Sequence, residues 1–178
     1  MGWSTSKLFT VARIVAVAAV VGGLIAATAA RPMAQSGPDS HAKNIEGVWV
    51  VQVTQRNCET NAALGSFSSL VTFDHDGIVI ESPGSLAFAP GQRSPGHGTW
   101  TRDGQHTVIQ RIVAMILFDT PPNLPVSPGF RKGWQTITHT VELTGPDSLT
   151  SAGTARFFDA NGESYRSGCS TAVGERFK

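Results

Sequence analysis

Residues 134–158, WQTITHTVELTGPDSLTSAGTARFF, have the clearest strand pattern in the chain. Up to Leu143, apolar and polar side chains alternate. On a strand, Ile137, His139, Val141 and Leu143 would therefore lie on the same face. The turn-forming residues Gly, Pro and Asp follow at 145–147, and a second strand-like run then extends to Phe158. Alternation of this kind is typical of a half-buried strand. Two such runs around a short Gly-containing turn predict an antiparallel hairpin.

The same pattern of strand-like runs and turn-forming residues continues on both sides of this hairpin. Short runs rich in Val, Ile, Thr, Phe and Trp alternate with clusters of Gly, Pro, Asp and Asn. No segment combines a helical apolar period with helix caps. The pattern predicts an all-β domain over residues 45–178, a single antiparallel, roughly eight-stranded up-and-down barrel. Its strands are Gly47–Gln55, Phe67–Phe73, Ile78–Ser82, Gly98–Arg102, Gln105–Phe118, Trp134–Leu143, Leu149–Phe158 and one between Ser164 and Phe177.

Three of the predicted connections are long: Arg56 to Ser66, Pro83 to His97, and Asp119 to Gly133. In up-and-down order these are the first, third and fifth connections, which all emerge at the same end of a barrel. The remaining connections are tight turns. The sequence therefore predicts an open mouth rimmed by long loops and a closed floor.

The N-terminus has the three parts of a secretory signal. Lys7 and Arg13 precede an uncharged run from Ile14 to Ala30, which ends in small residues. We predict a signal peptide over 1–30, a flexible lead over 31–44, and a secreted or periplasmic protein. The alternative is an uncleaved membrane anchor, although the run is short for a span of about 30 Å.

Charge excludes two classes of partner. The chain has 14 basic and 13 acidic residues. Cleavage after Ala30 would remove Lys7 and Arg13, which leaves 12 basic against 13 acidic residues. Neither nucleic acid nor an anionic membrane surface has a basic patch to bind. The oligomeric state is left open.

The chain has two cysteines, Cys58 and Cys169. An even number in an exported protein predicts a disulfide; two buried free thiols are the alternative. Cys58 lies just past the first strand and Cys169 lies several residues into the last. A bridge between them therefore requires a longer first strand, a strong tilt or a displaced last strand.

The two ends of the domain carry a resemblance to a known group of barrels. Gly47-Val48-Trp49 resembles the lipocalin G-x-W motif, and Arg176 lies near the C-terminus. The chain thus resembles the calycin barrels, in which an arginine packs over that tryptophan. The resemblance implies that Trp49 and Arg176 form this structural pair. The lipocalin T-D-Y motif and C-terminal helix are missing, and allene oxide cyclase-type barrels fit the strand count equally well.

The candidate ligand-binding residues are inward-facing polar groups and loop aromatics. Gln110 and Arg111 lie on opposite faces of the fifth strand, so one of them points inward. Glu81 on the third strand could pair with a buried arginine. His139 shares an apolar face, where a desolvated imidazole could bind a ligand or exchange a proton. Phe130, in the third long loop, and Trp134, just after it, complete the set.

The sequence shows no catalytic motif and predicts no cofactor. The segment Phe73-Asp-His-Asp-Gly77 has calcium-type ligands, but it lacks the further acids and the distal Glu of a calcium loop, so a hairpin turn is predicted and no metal site. We expect an exported, non-enzymatic barrel that binds a small, mostly apolar molecule. The alternatives are an envelope interaction domain without a pocket, and a cofactor-free isomerase, cyclase or lyase on the same barrel.

Overall fold

The computed structural model describes residues 44–178, which form a closed antiparallel barrel of eight strands. The strands are β1 Gly47–Arg56, β2 Ala63–Phe73, β3 Ile78–Pro83, β4 Gly96–Arg102, β5 Thr107–Ile116, β6 Gly133–Gly145, β7 Ser148–Asp159 and β8 Ser164–Arg176. Each strand pairs with the next, and β8 closes the barrel against β1. The prediction of an all-β antiparallel barrel is confirmed. The predicted signal peptide, and the lead apart from Asn44, lie outside the described residues.

Side-chain alternation gives the barrel its interior. In β5, the residues at even positions from Val108 to Ile116 are buried, whereas Arg111, Val113 and Met115 are exposed. Because successive side chains on a strand point to opposite faces, this alternation places one face in the barrel interior. Each fully buried Val or Ile contributes roughly 1.5–3 kcal/mol relative to exposure.

The floor of the barrel is closed around a tryptophan. Trp49 is fully buried, and its indole N–H donates to the carbonyl oxygen of Ile45 at 2.8 Å. The guanidinium carbon of Arg176 lies 4.3 Å from the centre of the Trp49 ring system. The same guanidinium donates to the carbonyl oxygens of Asn44, Glu46 and Pro146. The expected contact between Trp49 and Arg176 is therefore present, and it ties both ends of the domain together.

The predicted disulfide joins Cys58 to Cys169, with the two Cα atoms 5.2 Å apart. β1 extends one residue further than predicted, to Arg56, which lies directly opposite Cys169 on β8. Residues 164–168 of β8 extend past the end of β1 and pair only with β7, and this stagger of the two strands places Cys169 beside the end of β1. A disulfide indicates an oxidising, extracytoplasmic environment. Among residues 44–178, no helix has the length and apolar character that a membrane crossing requires.

The long connections do lie at one rim. Residues 57–62, 84–95 and 117–132 follow the odd-numbered strands, as does the short turn 160–163. Residues 74–77, 103–106 and 146–147 connect strands at the opposite end. The first connection is shorter than predicted because β2 begins at Ala63. We call the end formed by the long connections the mouth.

Candidate ligand-binding site

The barrel interior contains a cavity of about 510 Å³. This volume falls within the range of small-molecule sites, roughly 300–1,000 Å³. Its walls are mostly apolar, and the apolar side chains of β1, β2, β5, β6 and β7 that line it include Val51, Val53, Phe67, Val71, Ile112, Ile137, Val141, Leu149, Ala155 and Phe157. Leu64 and Leu124 also line it and are largely exposed, Leu124 at 74%. Because both lie at the mouth, the cavity opens there.

The proline-rich loop 117–132 forms part of this mouth. Its Phe130 is buried and stacks on Phe88 of the second long loop, with ring centres 4.3 Å apart. Arg166 of β8 binds the loop in two ways. Its guanidinium donates to the carbonyl oxygen of Gly129 at 2.8 Å, and it lies 5.0 Å from the centre of the Phe130 ring. The loop is therefore anchored to the barrel by packing and by hydrogen bonds.

A fully buried glutamine fixes the other side of the loop. The side-chain amide of Gln92 donates to the Phe118 oxygen and to the Thr120 hydroxyl, both at 2.9 Å. Backbone pairing between Thr120 and Phe130 then closes the base of the loop. Buried polar groups with good partners specify one arrangement, because each alternative leaves some of them unpaired. The mouth therefore has a defined shape.

Four of the polar side chains that line the cavity lie on the consecutive strands β5 to β8, and we call them the polar belt: Gln110, His139, Ser151 and Ser170. His139 is 5% exposed, and its Nδ1 and Nε2 lie 3.1 Å and 2.9 Å from the hydroxyls of Ser151 and Ser170. Burial lowers the pKa of His139 from 6.5 to about 4, because the apolar surroundings disfavour the charged imidazolium. The imidazole is therefore neutral at neutral pH.

A glycine makes room for this imidazole. Gly153 lies opposite His139 on β7, and a Cβ there would approach the His139 Cδ2 to 2.4 Å. The same Cβ would approach the Thr138 carbonyl oxygen to 2.0 Å. A side chain at 153 is therefore incompatible with the ring lying across the strand.

The remaining member of the belt has an unused acceptor. Gln110 lies directly opposite His139 in the pairing of β5 with β6, and it is 7% exposed. Its side-chain oxygen, Oε1, is buried and has no hydrogen-bond partner among residues 44–178. An unsatisfied buried acceptor costs about 1–3 kcal/mol. Although the Gln110 side chain lines the cavity, this oxygen has almost no accessible surface, so it is turned away from the cavity space.

Above the belt lies a buried ion pair. Arg93 of the second long loop donates to Glu81 Oε2 at 2.7 Å and to Gln135 Oε1 at 2.6 Å. Ser69 donates to the other Glu81 oxygen at 3.3 Å. The Arg93 side chain is only 3% exposed. Glu81 therefore contributes no uncompensated charge to the cavity that it lines.

The structure brings together three of the five predicted ligand-binding residues. His139, Glu81 and Phe130 line the cavity. Arg111 and Trp134 do not, and their assignment to the cavity is corrected. Arg111 is exposed on the outer face of β5, since Gln110 takes the inward position. Trp134 lies five positions before the inward-facing His139, and an odd offset along a strand places it on the opposite, outer face, where it stacks on Phe158.

Three residues of the site, Arg93, Gln135 and Arg166, were not among the predicted ones. Arg93 lies in a loop, and only the folded chain shows that it reaches Glu81. Gln135 could have been found, because strand alternation places it on the same face as His139. Arg166 could likewise have been placed on the inward face of β8, although its contact with the proline-rich loop depends on the tertiary structure.

The Asp74-His75-Asp76 segment is a turn, as predicted. The Gly77 N–H donates to the Asp74 oxygen at 3.2 Å, and Gly77 has a φ of 81°. The pKa of His75 is raised because its ring bonds the Asp74 carboxylate and lies near Asp76. All three polar side chains are exposed, with ligand-type atoms within 4.8 Å of one another. Exposed acidic turns of this kind are common, and the segment lies outside the cavity.

Comparison with known proteins adds little. No protein-family model matches the chain, and no curated protein matches it. Among solved structures, a redesigned β-barrel is similar at 15% identity, covering 75% of this chain and 91% of that one, with a TM-score of 0.39. A likeness this low supports no conclusion about relatedness or activity. The chain is established as a closed eight-stranded barrel by its own strand pairing, and its function has to follow from its cavity.

Proposed function

We propose that this protein is an exported, non-enzymatic binding module that holds a small, mostly apolar molecule inside its barrel. The observation that carries the proposal is the cavity of about 510 Å³, walled mainly by apolar side chains and open at one end. A barrel of this size can instead be filled by its own side chains. The space left here favours a ligand over a purely structural role.

The energetics support an apolar occupant. Because the cavity opens at the mouth, its apolar wall is surface that water can reach, and covering such surface is favourable. An apolar molecule that fills the cavity gains about 0.8 kcal/mol for each methylene removed from water. The anchored mouth lowers the cost of binding, because little ordering is needed.

Binding has more support than catalysis. Both nitrogens of His139 are engaged by serine hydroxyls, and its pKa of about 4 makes it a weak base at neutral pH. Glu81 is held by Arg93. The inward-facing titratable groups are thus engaged in stabilising contacts. The calycin-like assignment is part of this proposal: the contact of Arg176 with Trp49 favours it, as does the up-and-down strand order.

The test fills the cavity and leaves the fold intact. Ala155 lines the cavity, whereas Ala152, on the outer face of the same strand, is exposed. We expect the neutral fluorophore N-phenylnaphthylamine to bind the wild-type protein and the Ala152→Phe control, with enhanced fluorescence. Ala155→Phe should reduce its affinity roughly tenfold or more, because the new ring occupies the site. Equal binding by both variants, or no binding to folded wild type, would refute the proposal.

A further inference from the structure

We infer that the ligand is an amphiphile whose apolar chain lies in the barrel and whose anionic head group, a carboxylate or a phosphate, binds Arg166 at the mouth. The inference rests on the proposed function and specifies the chemistry of its ligand. Its starting point is the charge of the side chains that line the cavity. That charge is balanced in the interior and unbalanced at the mouth.

Four side chains that can carry a charge line the cavity: Arg56, Glu81, His139 and Arg166. Glu81 is compensated by Arg93, which lies 2.7 Å away. Burial lowers the pKa of His139 to about 4, so the imidazole is neutral at neutral pH. Arg56 and Arg166 remain, and within residues 44–178 neither forms an ion pair with a carboxylate. The cavity lining therefore carries two uncompensated positive charges.

Both arginines lie at the mouth, and Arg166 faces the interior. It is the third residue of β8 and lies four positions before Ser170, which binds His139 inside the barrel. An even offset along a strand places both side chains on the same face. Arg56, the last residue of β1, donates instead to the hydroxyl of Thr171, one position after Ser170 and so on the outer face. Arg56 therefore adds positive charge to the rim, and Arg166 is the group that a ligand in the cavity can contact.

The Arg166 guanidinium has donors to spare. It carries five N–H groups. Two of them donate to the carbonyl oxygens of Gly129 and Pro128, at 2.8 Å and 3.2 Å, and the other three have no partner in the described part of the chain. The side chain is half-buried, and its bond to Pro128 lies in an exposed position, so the guanidinium is accessible. Guanidinium pairs with carboxylate or phosphate through hydrogen bonds roughly twice as strong as neutral ones.

The apolar interior sets the orientation of such a ligand. An anion deep in the barrel would lose its hydration and meet no free cation, because Arg93 is bound to Glu81. At the mouth the same anion keeps part of its hydration and contacts Arg166. The chain then lies against the apolar wall below. A cationic head group gains nothing at the mouth, since both uncompensated charges there are positive.

The experiment compares four probes with the same ten-carbon chain by isothermal titration calorimetry: decanoate, decyl phosphate, decanol and decylammonium. We expect at least one of the two anions to bind wild type roughly tenfold more tightly than decanol, which corresponds to about 1.4 kcal/mol. The tighter anion identifies the head group. Decylammonium should bind most weakly. Added salt should reduce the advantage of the anion, because the mouth is open to solvent.

Three variants tie the preference to its residue. Arg166→Gln should bring the anion and decanol to within about twofold of each other, and Arg166→Lys, which keeps the charge, should restore part of the difference. Arg131→Gln removes a charge from the same rim, but Arg131 is exposed, lies near Asp159 and does not line the cavity, so the wild-type preference should remain. The readout is the ratio of affinities within one protein, because a loosened loop would weaken all probes alike. The order of the probes in wild type decides the matter even if Arg166→Gln does not fold.

The outcomes separate the inference from the proposed function. If wild type binds decanol as tightly as both anions, or binds decylammonium most tightly, the inference is wrong and the proposed function stands. The inference is also wrong if Arg166→Gln keeps the preference, or if Arg131→Gln loses it equally. If folded wild type binds none of the four probes, the proposed function fails together with the inference.

Discussion

The buried ion pair between Arg93 and Glu81 gives the sharpest prediction about stability. Arg93→Met keeps most of the aliphatic stem but removes the guanidinium that donates to Glu81 and Gln135 at 2.7 Å and 2.6 Å. Glu81, 7% exposed, is then left as a buried carboxylate without a cation. Removing one partner of a buried pair costs about 3–5 kcal/mol. That is a large part of the roughly 5–15 kcal/mol that stabilises a typical domain.

The assay is urea unfolding followed by tryptophan fluorescence, with the free energy of unfolding compared among four proteins. We expect Arg93→Met to lose about 3–5 kcal/mol, and the double variant with Glu81→Leu to regain most of it, because no unpaired charge remains. Arg156→Met, at an exposed position on β7, should change stability by less than about 0.5 kcal/mol. A loss below about 1 kcal/mol in Arg93→Met, or a double variant less stable than the single one, would refute the reasoning.

Three further predictions concern the pKa of His139, the disulfide and the floor. The unfolded pKa of 6.5 and the folded value of about 4 mean that the stability from neutral His139 is present above pH 6.5 and lost as pH falls. Between about pH 7 and pH 4, wild type should lose about 3 kcal/mol more than His139→Gln in urea unfolding; parallel pH profiles would contradict this. Replacing Cys58 and Cys169 with alanine should lower the free energy of unfolding by up to about 4–5 kcal/mol, since the bridge spans 111 positions; a loss below about 1 kcal/mol would show that the bridge hardly constrains the unfolded chain. Arg176→Lys should cost about 2 kcal/mol, because lysine lacks the planar fork that stacks on Trp49 and reaches several carbonyls; an unchanged melting temperature would argue against that contact.

The architecture could be predicted because it depends on local patterns. Alternating runs separated by glycine-containing turns predicted all eight strands. The three long connections all follow odd-numbered strands, and this predicted that they lie together at one end of the barrel. The extension of β1 to Arg56 could not be predicted, since strand ends depend on pairing with neighbours. The stagger of β8 against β1, which places Cys169 beside the end of β1, depends on the same pairing.

The site could be predicted only in part, for identifiable reasons. β5 is apolar on both faces, so its sequence does not say whether Gln110 or Arg111 points inward; pairing with β6 decides it. The exterior position of Trp134 was not predicted, although strand alternation would have shown it once His139 was placed inside. Arg93 could not be assigned to Glu81 because a loop residue has no periodicity to orient its side chain. Whether the interior is filled or hollow depends on the packing of all eight strands together.

Native mass spectrometry of protein purified from its own host can detect directly whether the hollow barrel holds one small apolar molecule. Wild type and the Ala152→Phe control should carry one small molecule per barrel that is released on unfolding, and Ala155→Phe should be free of it. Wild type found only at the mass of the unliganded chain, or the same adduct retained by Ala155→Phe, would contradict the account.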